Sequence, residues 1–147
     1  NYITSLDVSN NKALKELYCM SNQNLTSLNA KNCTALVKLR CDQAGEPSRG
    51  NMTSLDISGC TALEELECQF NELTSLDVSK NTALKELFYY DGDITELDLS
   101  KNKQLDKLYI SSESLTLLYL YKYHNFTDEE IDQIKRDCPN ALIYYVE

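Results

Sequence analysis

Six cysteines, a single histidine and a recurring aspartate are the side chains of this 147-residue sequence with the most chemistry to offer. Cys19, Cys41 and Cys68 each close a Leu-x-Cys triplet (LYC, LRC, LEC), while Cys33 and Cys60 recur in a second setting. Thiols spaced in this way have three uses. Neighbours could be joined as a disulfide if stacking brings their Cα atoms within ~4.4–6.8 Å. A metal site would need converging ligands, yet CxxC pairs are missing and His124 stands alone far along the chain. The remaining use is as small buried hydrophobes, a habit free cysteine shows widely. That reading is adopted, with Cys33–Cys60 as the one pair to check for a bridge. No metal and no other cofactor is expected.

Asp7, Asp56, Asp77 and Asp98 form a second column, interrupted by Asn29. Stacked calcium sites would need glycine-rich turns that aim carbonyls at the ion, and the phrase DVSKN has none. A local role fits better, each side chain accepting from a nearby backbone N–H. Like charges at that spacing are expected to raise some of their pKa values. Catalysis finds no constellation either. A nucleophile needs a base beside it, and the sole His124 lies in a loop-like stretch. The carboxylate pairs Glu64/Glu65 and Glu16/Glu86 fall on an open face without an enclosing pocket, and no phosphate-binding glycine loop exists. The chain reads as a non-enzyme.

The elements that place these residues come from a repeat. LTSLDVSKNTALKELFY, from Leu73, recurs as ITSLDVSNNKALKELYC from Ile3, LTSLNAKNCTALVKLRC from Leu25 and MTSLDISGCTALEELEC from Met52. A looser copy, ITELDLSKNKQLDKLYI, begins at Ile94. The step is 21 residues from Met52 to Leu73, Ile94 and Leu115; it is 22 from Ile3 to Leu25 and 27 from Leu25 to Met52. The long step marks an insertion.

Each phrase holds two half-copies of one signature, LTSLDVSKN and LEELECQFN. Only the second continues as LEELECQFNEL, completing LxxLxLxxNxL with Cys68 in the third leucine place and Leu73 closing it. The Leu-x-Cys halves are therefore assigned to the concave strands and the LDVS halves to the convex side, which could itself be extended. The DVSxN phrases (Asp7 to Asn11, Asp77 to Asn81) and the Leu-x-Cys-x-x-Asn phrases (Leu17 to Asn22, Leu66 to Asn71) resemble leucine-rich repeats. Within these they resemble the 21-residue, cysteine-bearing repeats of internalin-like bacterial surface proteins. Tyr89 and Ile110 stand where that pattern has cysteine, and Ala44, Gly92 and Glu113 where it has asparagine. The resemblance covers roughly residues 1 to 120. It implies an α/β solenoid: a right-handed superhelix with a parallel concave sheet, a mostly strand and irregular convex side and one C-terminal capping helix. It also implies an extracellular or cell-surface binding module, often one part of a longer protein.

A single repeat cannot bury its own leucines, so coils must stack. Leu17, Leu39, Leu66, Leu87 and Leu108 fall in one column, and Leu14, Leu36, Leu63, Leu84 and Leu105 in another. Asn22 and Asn71 can satisfy backbone groups at the coil corner. The period ends in NFTDEEIDQIKRDCPN, a helix with Thr127 as N-cap, Glu130 completing a capping box, and Ile131, Ile134 and Cys138 on one face. Pro139 stops it and ALIYYV follows as a strand. One domain is expected over 1–147, with repeats starting near 3, 25, 52, 73, 94 and 115 and a cap over 121–147. Asn1-Tyr2-Ile3 reads as the tail of a preceding signature, so a longer parent protein is expected.

Recognition is expected on the alternate, outward positions of the concave strands. Read down the middle column these are Tyr18, Arg40, Glu67, Phe88 and Tyr109, with Tyr90 beside them. Strands ~4.8 Å apart would join them into one stripe. Aromatics and Arg are enriched at interface hot spots, although β-propensity alone also favours Tyr and Phe in strands. The insertion CDQAGEPSRGNM, with Glu46 and Arg49, would project from one edge as either a second binding element or a tolerated loop. With 23 acidic against 14 basic residues and a net charge of −9, nucleic acid and anionic membrane surfaces would be repelled. No apolar run approaches the ~20 residues of a membrane helix, so no membrane insertion is expected. The partner expected is a protein or a glycan. The rival expectations are a rigid spacer in a surface protein and the targeting domain of an enzyme whose catalytic part lies elsewhere.

Overall fold

The inward leucines are satisfied by coiling. The computed structural model, which describes residues 3–43 and 50–147, is a parallel β-solenoid of about six turns with one helix near its C-terminal end. The Leu-x-Cys halves, and the two copies with Tyr89 and Ile110 in the cysteine place, form β2 (Glu16–Tyr18), β4 (Lys38–Arg40), β6 (Glu65–Glu67), β7 (Glu86–Tyr90) and β9 (Lys107–Ser111). These pair in that order as one five-stranded parallel sheet, Leu17, Leu39, Leu66, Leu87 and Leu108 lying opposite one another. The LDVS halves are extended as well. β1 (Ser5–Asp7), β3 (Ser27–Asn29) and β5 (Ser54–Asp56) make one three-stranded parallel sheet; β8 (Glu96–Leu99), β10 (Leu117–Tyr121) and β11 (Leu142–Val146) make another. Between them the fourth copy, Leu76 to Val78, buries the same side chains without strand pairing.

Alternation fixes which residues go inside, because a strand turns successive side chains to opposite faces. Leu39, Leu66 and Leu87 are fully buried, whereas Leu17 at the end of the column is half-buried, as are Leu6, Val8 and Leu14 of the same first coil. Each full burial contributes roughly 1.5–3 kcal/mol, so the inner coils are the most strongly held.

Corners are turned by a repeated local device. Ser21, Phe70 and Asp91 on one side, and Asn10, Asn32 and Gly59 on the other, have positive φ, between 53° and 79°. After Ser21, Phe70, Asn32 and Gly59 the next residue sends its side chain inward as a donor. Asn71 Nδ2 donates to the carbonyls of Cys68 and Cys41, both at 3.1 Å, and Asn22 Nδ2 to that of Cys19 at 2.8 Å. On the opposite corner, cysteine and asparagine share one job. Cys33 Sγ donates to Val8 O and Cys60 Sγ to Ala30 O, both at 3.1 Å; Asn81 donates to Ile57 O at 3.2 Å and Asn102 to Val78 O at 3.0 Å. Buried backbone carbonyls that leave a strand need a partner, and either side chain supplies one.

The interrupted ladder is repaired at Tyr89. Its ring is buried where Cys68 sits one coil earlier, its hydroxyl accepts from Ile94 N at 3.1 Å and donates to Leu73 O at 3.5 Å. A Cβ on Gly92 would collide with that hydroxyl and ring carbon. The loss of asparagine at 92 and the gain of tyrosine at 89 are therefore one change: glycine makes the room, and the phenol does the corner's polar work.

The helix α1 (Asp128–Asp137) begins as expected. Thr127 Oγ1 accepts from Glu130 N at 3.3 Å, and Glu130 Oε2 accepts from Thr127 N at 2.7 Å. Ile131, Ile134 and Cys138 are buried against the last coil, and Asp137 O accepts from Ser112 N at 3.2 Å. The chain then enters β11, which pairs with β10.

Candidate recognition face

The register of the five-stranded sheet brings the predicted stripe together. Tyr18 lies opposite Arg40, Arg40 opposite Glu67, Glu67 opposite Phe88 and Phe88 opposite Tyr109. A second column, Glu16, Lys38, Glu65, Glu86 and Lys107, runs beside it, and Tyr90 lies opposite Ser111 in the next. Tyr18 is 51% and Tyr109 43% exposed; Arg40, Glu67, Phe88 and Tyr90 are half-buried. Glu46 and Arg49 of the insertion lie outside the described residues. The insertion rejoins the ladder at Gly50, whose N–H donates to Phe70 O at 2.9 Å.

The first three strands of this face carry a closed set of ion pairs. Glu65 binds Lys38 Nζ at 2.7 Å and Arg40 Nη2 at 2.8 Å, and Arg40 also meets Glu67 at 3.0 Å. Glu65 is therefore only 9% exposed, against the expectation that this position faces solvent. Long cationic side chains fold over it and cover it. Burial alone would raise its pKa, but hydrogen bonds and charge from Lys38 and Arg40 outweigh that and hold the carboxyl below its ordinary value. Glu67 moves the other way: burial raises it, and Asp42 and Glu65 add to the rise against the pull of Arg40. Asp42, next to Cys41 in the following corner, is buried. Tyr18 donates to Glu16 Oε2 at 2.8 Å and lies 6.0 Å from the Arg40 guanidinium across its ring.

The last two strands are aromatic. Phe88 and Tyr109 stack with centroids 4.5 Å apart and planes 13° from parallel. Tyr90 stacks on Phe70 at 6.4 Å. Phe70 was not foreseen; it holds the corner position occupied by Ser21 and Asp91 in other coils, with φ of 58°. A bulky side chain there is rare and strained. Lys107 is paired to Glu86 at 2.6 Å. A cleft of about 140 Å³ separates β9 from α1, with Tyr90 and Tyr109 on one side and Gln133 and Asp137 on the other. Helix residues entered no prediction of a site, because nothing in the repeat says where the cap will pack.

The other candidates resolve into structural roles. All six cysteines are free and buried, Cys33 and Cys60 included. Burial pushes the thiols of Cys19 and Cys60 up to about 11 and that of Cys68 up to about 12. Each member of the Asp column accepts a local N–H: Asp7 from Ser9 at 2.8 Å, Asp56 from Ser58 at 2.9 Å, Asp77 from Ser79 at 2.9 Å, Asp98 from Ser100 at 2.8 Å. The expected upward pKa shifts are overturned. Hydrogen bonds from the serine two residues on, led by its N–H for Asp7 and by its hydroxyl for Asp56 and Asp77, hold all three carboxyls below their ordinary value. Glu64 pairs with Lys85 at 2.9 Å. His124 packs between Phe126 and Tyr145, each ring 5.4 Å away. Among the described residues no three metal-capable side chains converge, and no helix is long and apolar enough to cross a membrane.

No protein-family model matches the sequence, and no curated protein matches it. Among solved structures, the chain is similar to the functional domain of InlJ from Listeria monocytogenes, which includes a cysteine ladder. The likeness covers 98% of this chain at 20% sequence identity, with a TM-score of 0.39. The chain spans 42% of the length of that structure.

Proposed function

We propose that this chain is a macromolecular recognition module that binds a protein partner through the solvent face of the five-stranded sheet. The observation that carries the reading is the aromatic end of the face. Phe88, Tyr90 and Tyr109 are rigid, partly exposed rings on regular strands, joined by Phe70, and rings of this kind dominate binding energy where interfaces have hot spots. Strand propensity accounts for their type, but not for their meeting beside a cleft. A bacterial cell-surface setting belongs to the same proposal and is supported by the resemblance of the repeats. The net charge of −9 favours a partner that is not itself strongly acidic.

The test is a variant in which Tyr18, Arg40, Phe88 and Tyr109 are all replaced by alanine. A partner captured by the wild-type chain should bind it roughly a thousandfold more weakly, given about 2 kcal/mol for each of two aromatic hot spots. Circular dichroism should be unchanged, since none of the four contributes to the leucine columns. Undiminished affinity in a folded variant would remove the face from the proposal and move binding to the insertion or the opposite side.

A further inference from the structure

The cleft between β9 and α1 has an electrostatic character unlike the ion-paired half of the face. Two aromatic rings, Tyr90 and Tyr109, stand on its sheet side, and the buried Ile134 lines it from the helix. The carboxylates of Glu130 and Asp137 border it. Lys107 is the one cation that lines it, and Glu86 neutralises that ammonium at 2.6 Å. Glu130 and Asp137 have no Lys or Arg within ion-pair distance among the described residues. Glu130 is held by Thr127, and Asp137 accepts two hydrogen bonds from the neutral Gln133 amide, at 2.9 and 2.8 Å. Arg136 is turned to the oxygen of that same amide, at 2.6 Å, rather than to a carboxylate. Asp137 also ends α1, where the helix presents its partial negative charge.

Three physical terms here share one sign: ring faces attract cations, two carboxylates lack a counterion, and the helix end is negative. The apolar lining limits screening by water and strengthens all three. An acidic group would be repelled by each of them. The volume, about 140 Å³, lies below the roughly 300–1,000 Å³ of small-molecule sites and suits one side chain. We infer that the cleft receives an arginine or lysine side chain of the partner protein, stacked against Tyr90 and Tyr109 with its charge toward Asp137. This rests on the recognition face proposed above and names the chemistry of what that face binds.

The experiment is a resonance-by-resonance titration with N-acetyl-arginine methylamide, with the neutral isostere N-acetyl-citrulline methylamide as control. The arginine probe should shift the amides of Tyr90, Tyr109, Ile134 and Asp137, the citrulline probe should not, and added salt should weaken the effect. Asp137→Asn, which can keep one of the two hydrogen bonds from Gln133 and the backbone bond to Ser112, should weaken the probe roughly tenfold, as loss of one charge-assisted hydrogen bond does. Equal shifts from both probes, or arginine shifts scattered over the acidic surface, would overturn the inference. The two proposals fail separately. A captured partner lost on alanine substitution of the stripe but fully retained by Asp137→Asn keeps the face and removes the cation site. Arginine shifts confined to the cleft, with partner affinity reduced by Asp137→Asn but indifferent to alanine at Tyr18, Arg40 and Phe88, keep the cation site and remove the face.

Discussion

The two halves of the five-stranded sheet are built on one repeat and yet differ inside and out. Just after β2, β4 and β6 the interior column is Cys19, Cys41 and Cys68, and the surface of the strands is a set of charges that satisfy one another. In β7 and β9 the column continues as Tyr89 and Ile110, and the surface is aromatic. Backbone register is the same throughout. The leucines therefore specify the coil, while the residues between them vary without disturbing it. A face whose charges are already paired has little to offer a partner, since new contacts must first replace old ones. A face of exposed rings has lost no such interaction.

Substitutions at three sites test this contrast. The largest effect is expected at Tyr89. Tyr89→Ala should cost about 3–5 kcal/mol in denaturant unfolding, the range for a buried aromatic. Tyr89→Cys should also destabilise, because Gly92 leaves the space unfilled, and adding Gly92→Asn should recover much of the loss. Two independent, additive penalties would show that the ring and the glycine are not one unit. A smaller effect belongs to Glu65, whose partners are partly exposed: Glu65→Gln should cost about 1 kcal/mol at neutral pH. Its carboxyl is depressed in the folded state, so the stabilisation is present above the ordinary value of 4.5 and lost as pH falls through the lower folded value. The difference between wild type and Glu65→Gln should shrink on acidification below pH 4.5; a gap that stays constant would remove the ion pairs as its cause. The smallest effect is at Phe70. Phe70→Asn relieves the left-handed backbone but removes the stack on Tyr90, so thermal stability should change by less than about 1 kcal/mol. A loss several times larger would make the ring part of the core.

Much of the architecture is legible in the sequence. The period, the strand assignment from the closing Leu73, the Thr127–Glu130 box and the helix over NFTDEEIDQIKRDCPN all rest on rules local to a few residues or on strict recurrence. What escaped reading involves side chains meeting across coils. The replacement of cysteine by Tyr89 looked like a broken ladder, because its repair depends on a ring crossing to Gly92. The expected rise in the Asp column fails at Asp7, Asp56 and Asp77 because the serine two residues on, more than the neighbouring coil, governs these carboxyls. Of the stripe, the alignment was legible from the repeat, but the engagement of Arg40 by Glu65 and Glu67 was not, since it turns on rotamers. The cleft was out of reach altogether: one wall belongs to a helix outside the period.

The free thiols carry a consequence beyond packing. Each is buried, and those with values near 11 or 12 hold almost no thiolate at neutral pH, so alkylating reagents find little to attack in the closed form. Modification then requires that a coil open first. Because the thiols are distributed from the first coil to the cap, the order in which they are labelled is a map of where the stack breathes. Cys19, beside the half-buried leucines of the first coil, lies where that map should begin.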